Sequence, residues 1–170
     1  MKTANELQDV TTVARIALAY HDGEGVHAYI KRLREADPME LVEIERKGID
    51  STFLVDLAAG LGLPRSRVFQ ILGAPKSTAA RKTATGSRID GLAGWAAIGM
   101  IKLIGEAQDL VDRSTSTGAD TFDTLKWMGQ WLERPQPALG GRLPADFLAT
   151  PTGAQVVSKV LGAIGSDTYL

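Results

Sequence analysis

The sequence predicts an all-α protein, on three observations. Apolar residues recur three and four positions apart along most of the chain, which is the spacing of a helix face. Pro and Gly mark the boundaries between these stretches. No alternation of apolar and polar residues lasts beyond four positions, so no sustained strand pattern competes.

Residues 4–20 form the first expected helix, with Leu7, Val10, Val13, Ala14, Ala17 and Leu18 on one stripe. His21-Asp22-Gly23-Glu24-Gly25 reads as a turn. A second helix is expected over Val26–Glu35, carrying Val26, Tyr29, Ile30 and Leu33 inward. Asp37-Pro38 opens a third over 38–47, which Lys47 and Gly48 close. Ser51 can cap a fourth over 52–60, built on Phe53, Leu54, Leu57 and Ala58. Pro64 opens a fifth over 65–72, with Val68, Phe69, Ile71 and Leu72 apolar. After the turn Gly73-Ala74-Pro75, a short sixth helix is expected over Lys76–Thr83.

A long apolar helix is expected next, over Ile89–Val111. Its glycines at 91, 94, 99 and 105 each cost about 1 kcal/mol against Ala and point to close helix contact. Residues 112–121 read as a linker. Phe122–Leu132 is helical again, with Trp127 and Trp131 at i, i+4. Pro135 and Pro137 stop that helix by fixing φ and extending the residue before each. Gly140-Gly141 permits positive φ in a tight turn, and Pro144 suits the first turn of a short helix. Thr150-Pro151 reads as cap and first residue of the last helix, over Pro151–Ile164, with Val156, Val157, Val160, Leu161 and Ile164 as its stripe. Trp95, Trp127 and Trp131 are expected in the core.

The composition is that of a globular protein, 44% hydrophobic and 23% charged, so a core can form without staples. There is no Cys, which excludes disulfides, thiolate metal sites and a Cys nucleophile, and fits a reducing cytoplasm. The N-terminus lacks an apolar signal core, and the charge-free run Gly91–Ile101 is far too short to span a bilayer. No membrane association is expected. His21 and His27 do not share a helix face, and no P-loop or Gly-x-Ser-x-Gly elbow is present. No catalytic residue, metal or cofactor is expected.

The net charge of -1 hides an asymmetry. Pro64 to Ile89 holds Arg65, Arg67, Lys76, Arg81, Lys82 and Arg88 and no acid, whereas the flanks are acidic. This basic island is either a phosphate footprint or a solvated face. Its layout is that of a helix-turn-helix. A short helix ends at Gly73, and the next begins with Lys76, Ser77 and Thr78, where a recognition helix would meet base edges. Arg81 and Lys82 follow one turn later, suited to phosphates or guanine edges.

The richest run is Trp131-Leu132, then Pro135-Gln136-Pro137-Ala138-Leu139-Gly140-Gly141-Arg142-Leu143-Pro144, then Leu148-Ala149-Thr150 and Gly153 to Val156. Over residues 122–165 it resembles the toxin-binding domain of the Xre/MbcA/ParS antitoxins. The pattern Leu72-Gly73, Thr78, Arg81-Lys82 resembles the Xre-like module that precedes that domain. The resemblance implies two parts. Residues 1–89 would be an N-terminal helical region with a helix-turn-helix at about 51–84, reading operator DNA and forming a homodimer. Residues 90–170 would be a connecting helix and a toxin-binding unit. The implied partner is a RES-domain toxin that degrades NAD or transfers ADP-ribose from it, its NAD-binding cleft covered by the C-terminal end. The implied toxin-binding residues are Trp131, Pro137, Leu139, Gly140, Gly141, Arg142, Asp167, Tyr169 and Leu170. In place of the acidic Glu-Ser-Asp-Arg stretch that often follows the helix-turn-helix, this chain has Gly86-Ser87-Arg88-Ile89-Asp90-Gly91. Its terminal tail departs as well. The tail is read as a plug or as a frayed end. The alternative to an antitoxin is a stand-alone regulator whose C-terminal unit dimerises or binds an effector.

Overall fold

The computed structural model describes residues 19–21, 23–113 and 121–165. The helix expected over 4–20 therefore lies almost wholly outside the described residues. The remaining helices form close to where the pattern places them. In chain order they are α1 (Val26–Glu35), α2 (Pro38–Lys47), α3 (Ser51–Leu61), α4 (Arg65–Ile71), α5 (Lys76–Ala84), α6 (Gly91–Asp112), α7 (Thr124–Leu132) and α8 (Pro151–Ile164). Two 3-10 turns, Pro137–Leu139 and Pro144–Phe147, lie between α7 and α8.

The caps follow from local chemistry. Asp37 starts α2 with a capping box: its carboxylate accepts from Met39 N–H while the Glu40 side chain accepts from Asp37 N–H. Gly48 ends α2 at φ 83°, a conformation that favours Gly. Asp123 caps α7 by accepting from Lys126 N–H, and Thr150 caps α8 by accepting from Gly153 N–H at 3.1 Å, with Pro151 as first helical residue.

Two expectations are corrected here. A small antiparallel sheet exists, in which β1 (Ile49–Asp50) pairs with β2 (Arg88–Ile89). Ile89 is therefore strand, and α6 begins at Gly91. Two-residue strands are too short to show alternation, and both isoleucines are buried, so the core draws them together. Ser51 is not the cap of α3 but its first residue; Asp50 precedes it, and the Ser51 hydroxyl donates to the Lys82 carbonyl at 3.0 Å, tying α3 to α5.

Two helices organise the interior. α6 packs against α8, α7, α1 and α2, and α3 packs against α7, α4, α5 and α1. The buried apolar residues form one cluster, with Phe53, Leu57 and Leu61 of α3 and Met100, Leu103 and Ile104 of α6 among its fully covered members. Small residues set the closest approaches, as the glycines of α6 lead one to expect. A Cβ at Gly99 would meet the Ala154 methyl of α8 at 3.3 Å. Around α1, Tyr20, Tyr29 and Phe53 form an aromatic triad with centroids 4.7 to 5.3 Å apart, and burial pushes the Tyr29 hydroxyl pKa well up.

The long helix departs from its expected burial. Trp95 is 49% and Leu92 70% exposed, although Trp95 was expected in the core. The Trp95 indole N–H donates to the Glu45 carbonyl at 3.1 Å, so the ring lies along α2 at the surface. α6 is apolar nearly all round, and its stripe alone does not say which side a neighbour covers. Val156 and Ile164 on α8 are likewise about two-fifths exposed. No helix among the described residues is long and apolar enough to cross a membrane.

Candidate functional site

The Pro-Gly run folds into a closed turn at the end of α7. The helix stops at Leu132, as the two prolines require. Gln136 then pairs with Arg142: Gln136 N–H donates to the Arg142 carbonyl at 3.0 Å, and Gly141 N–H donates back to the Gln136 carbonyl at 3.0 Å. The link between them is the 3-10 turn Pro137–Leu139, followed by Gly140 and Gly141 at φ 66° and 78°. Those two left-handed residues reverse the chain within the bridge, which is why Gly stands at both.

The turn divides its residues into support and surface. Leu139 is buried at 5% exposure and pins the turn to the core. Trp131 is buried at 6% and stacks on Trp127 with centroids 6.0 Å apart, so it supports α7 rather than facing solvent. Pro137, Gly140, Gly141 and Arg142 are exposed. Asp167, Tyr169 and Leu170 lie outside the described residues. Sequence reasoning missed Phe147, whose ring carries the Arg142 guanidinium 4.5 Å from its centroid, and Arg134, exposed beside the turn.

The basic island folds as two short helices around Gly73, which sits at φ 72°. Ala74 N–H closes the turn on the Phe69 carbonyl at 2.9 Å. Lys76, Ser77 and Arg81 are exposed on α5, and Thr78 is half-buried. Lys82 differs, since its ammonium pairs with Asp90 at 2.6 Å, and this hydrogen bond holds the Asp90 carboxyl below the usual range. Arg67 pairs with Glu133 and Arg88 with Asp50. Half of the island's six cations are thus matched by acids from elsewhere in the fold. Among the described residues Arg65, Lys76 and Arg81 make no ion pair. Arg65 and Lys76 edge a groove of about 790 Å³ between α4 and α5, floored by Phe69, Ala79 and Ala80.

The two candidate surfaces share a wall. The Arg67 guanidinium on α4 reaches Glu133 at the end of α7 with two hydrogen bonds, 2.9 and 3.3 Å. A Cβ at Gly73 would touch the Ala149 methyl at 3.3 Å, and α4 packs on the turn Pro144–Phe147. Among the described residues no group of three or more His, Asp or Glu could hold a metal ion.

Comparison with known proteins decides the family. Residues 117–166 match the antitoxin Xre/MbcA/ParS C-terminal toxin-binding domain. A "Prs ADP-ribosylating antitoxin" from Sphingobium sp. (strain YBL2) is 31% identical over 164 residues, covering 96% of this chain and 99% of that protein. The chain belongs to the Xre/MbcA/ParS antitoxins. The turn of Pro137–Arg142 and the helices α7 and α8 on either side all lie within the matched segment, so the antitoxin's toxin-binding domain is the part with the closed turn.

Proposed function

We propose that this antitoxin neutralises a RES-domain toxin by binding it through residues 122–165 and covering its NAD-binding cleft. It acts by occupancy and carries no catalysis of its own. The observation that supports this most is the turn of Gln136–Arg142: a rigid, Leu139-anchored loop whose exposed Pro137, Gly140, Gly141 and Arg142 lie within the toxin-binding domain. A preformed loop loses little entropy on docking, so its contacts go into affinity. The same antitoxin, as a homodimer, represses its own operon through α4, the Gly73 turn and α5. Lys76, Ser77 and Arg81 are the exposed groups there, suited to base edges and phosphates.

The test is co-expression with the protein encoded beside this gene. A stable complex that stops NAD consumption by that protein supports the reading. Deleting residues 166–170 then assigns the block: restored NAD consumption with retained binding makes the tail a plug, and full inhibition places the block in the helical body. A chain that binds operator DNA but never its neighbour is a stand-alone regulator instead.

A further inference from the structure

Arg142 is a held cation on an exposed loop. One face of its guanidinium lies over the Phe147 ring. Its Nε–H donates to the Leu139 carbonyl at 3.3 Å, three residues back along the turn. A guanidinium has five N–H donors, and the remaining four lie on its two terminal nitrogens. Among the described residues these four meet no acceptor. Glu133, the acid at the end of α7, is taken by Arg67, and Asp146 makes no ion pair with Arg142. Arg134, two residues before the bridging Gln136, is also exposed and makes no ion pair among the described residues. Between these cations the turn offers Pro137, Ala138, Gly140 and Gly141, whose side chains carry no polar group.

Most exposed arginines lose considerable rotamer freedom when they bind. Here the ring below and the carbonyl behind already fix the fork, so the terminal nitrogens are aimed before a partner arrives. The planar, two-point geometry matches a carboxylate. We propose that Arg142 is the carboxylate receptor of the docking turn: the toxin presents an Asp or Glu side chain that the two terminal nitrogens grip together, and this pair selects the partner that the turn accepts. This rests on the reading of the turn as a toxin-docking surface and names the chemistry that surface recognises.

The test is titration calorimetry of the full-length Arg142→Ala, Arg142→Gln and Arg142→Lys proteins against the purified toxin encoded beside this gene, at low and high salt. Arg142 is exposed, so all three should stay folded and melt within a few degrees of the wild type. The Ala and Gln variants should bind about 10- to 100-fold more weakly, the range of an interface Arg, and with a flatter salt dependence than the wild type. Lys should recover only part of the loss, because a single ammonium cannot form the fork. Arg142→Glu should be rescued by one Asp→Arg or Glu→Arg change on the toxin. If Arg142→Ala binds as the wild type while Leu139→Asp abolishes binding, the docking reading stands and this inference falls. Wild-type binding by Arg142→Lys overturns the two-point grip. Loss of operator affinity with unchanged toxin affinity assigns the cation to DNA phosphates and also overturns it. No binding by the wild type removes both.

Discussion

Gly129 is where α7, the helix that leads into the closed turn of Gln136–Arg142, crosses α3. A Cβ there would land on the Leu61 carbonyl oxygen, with the carbonyl carbon at 2.8 Å and Cα at 3.2 Å. These are backbone atoms in the last turn of α3, and none can swing aside as a side-chain tip can. Ordinary carbon contacts are about 3.5–4.0 Å, so α7 would have to retreat by roughly 1 Å. A gap of that size forfeits about a quarter to a half of the dispersion energy around Leu125, Met128 and Leu132, all buried on the same helix. Such overpacking costs about 1–3 kcal/mol, and here about 3 because backbone meets backbone. The intrinsic helix preference for Ala over Gly returns about 1 kcal/mol. The net expectation for Gly129→Ala is a loss of about 2 kcal/mol, or roughly 4–8 °C in Tm for a chain of this size. Gly162 on α8 is the control, because nothing lies within 4 Å of its added Cβ and its φ is ordinary. Gly162→Ala should gain up to about 1 kcal/mol and raise Tm by a few degrees. Thermal melts of both at one protein concentration read the opposite signs. A Gly129→Ala protein that melts at or above the wild type would refute the close-contact reasoning and the placement of α7 on α3.

Leu139→Asp puts a carboxylate at a 5%-exposed core position; a cost of several kcal/mol is expected, read as a lower Tm together with lost toxin binding. Lys76→Ala and Arg81→Ala should each lower operator affinity and flatten its salt dependence by roughly one unit per lost phosphate contact. Lys82→Ala should change DNA binding less, because its ammonium is already engaged by Asp90; mobility shifts at several salt concentrations compare the three. Burial opposes charge on Glu24, but the Arg32 and His21 hydrogen bonds outweigh it and leave its pKa below the ordinary 4.5. A lowered carboxyl pKa stabilises the fold above the ordinary value and ceases to do so as pH falls through the lowered one. The Tm difference between wild type and Glu24→Gln should therefore be largest near neutral pH and shrink as pH falls below the ordinary 4.5 and through the lowered value.

Helix positions and the Pro-Gly turn were legible because each rests on local rules: period, caps, and φ restrictions at Pro and Gly. The turn at Gly140-Gly141 and the cap at Thr150 follow from two or three adjacent residues. What lay beyond reach depends on residues far apart in the chain. Arg67 and Glu133 are 66 positions apart, and nothing in either neighbourhood announces the other. The same holds for Arg88 with Asp50, and so the basic island reads in sequence as more uncompensated charge than the fold leaves exposed. Trp95 shows a different limit. Its apolar surroundings on α6 imply burial, but the neighbouring helices cover other sides of α6, and its N–H finds a carbonyl at the surface. The Phe147 platform under Arg142 was invisible because a 3-10 turn, not a helix period, brings the two together.

NAD consumption by the protein encoded beside this gene, titrated with the full-length antitoxin, tests the proposed neutralisation most directly. Neutralisation by docking predicts that consumption falls to the background at a fixed small ratio of antitoxin to toxin. It also predicts that a Leu139→Asp protein, at the same concentrations, leaves the toxin active. NAD consumption unchanged at saturating wild-type protein, with a toxin shown to be active alone, would contradict it.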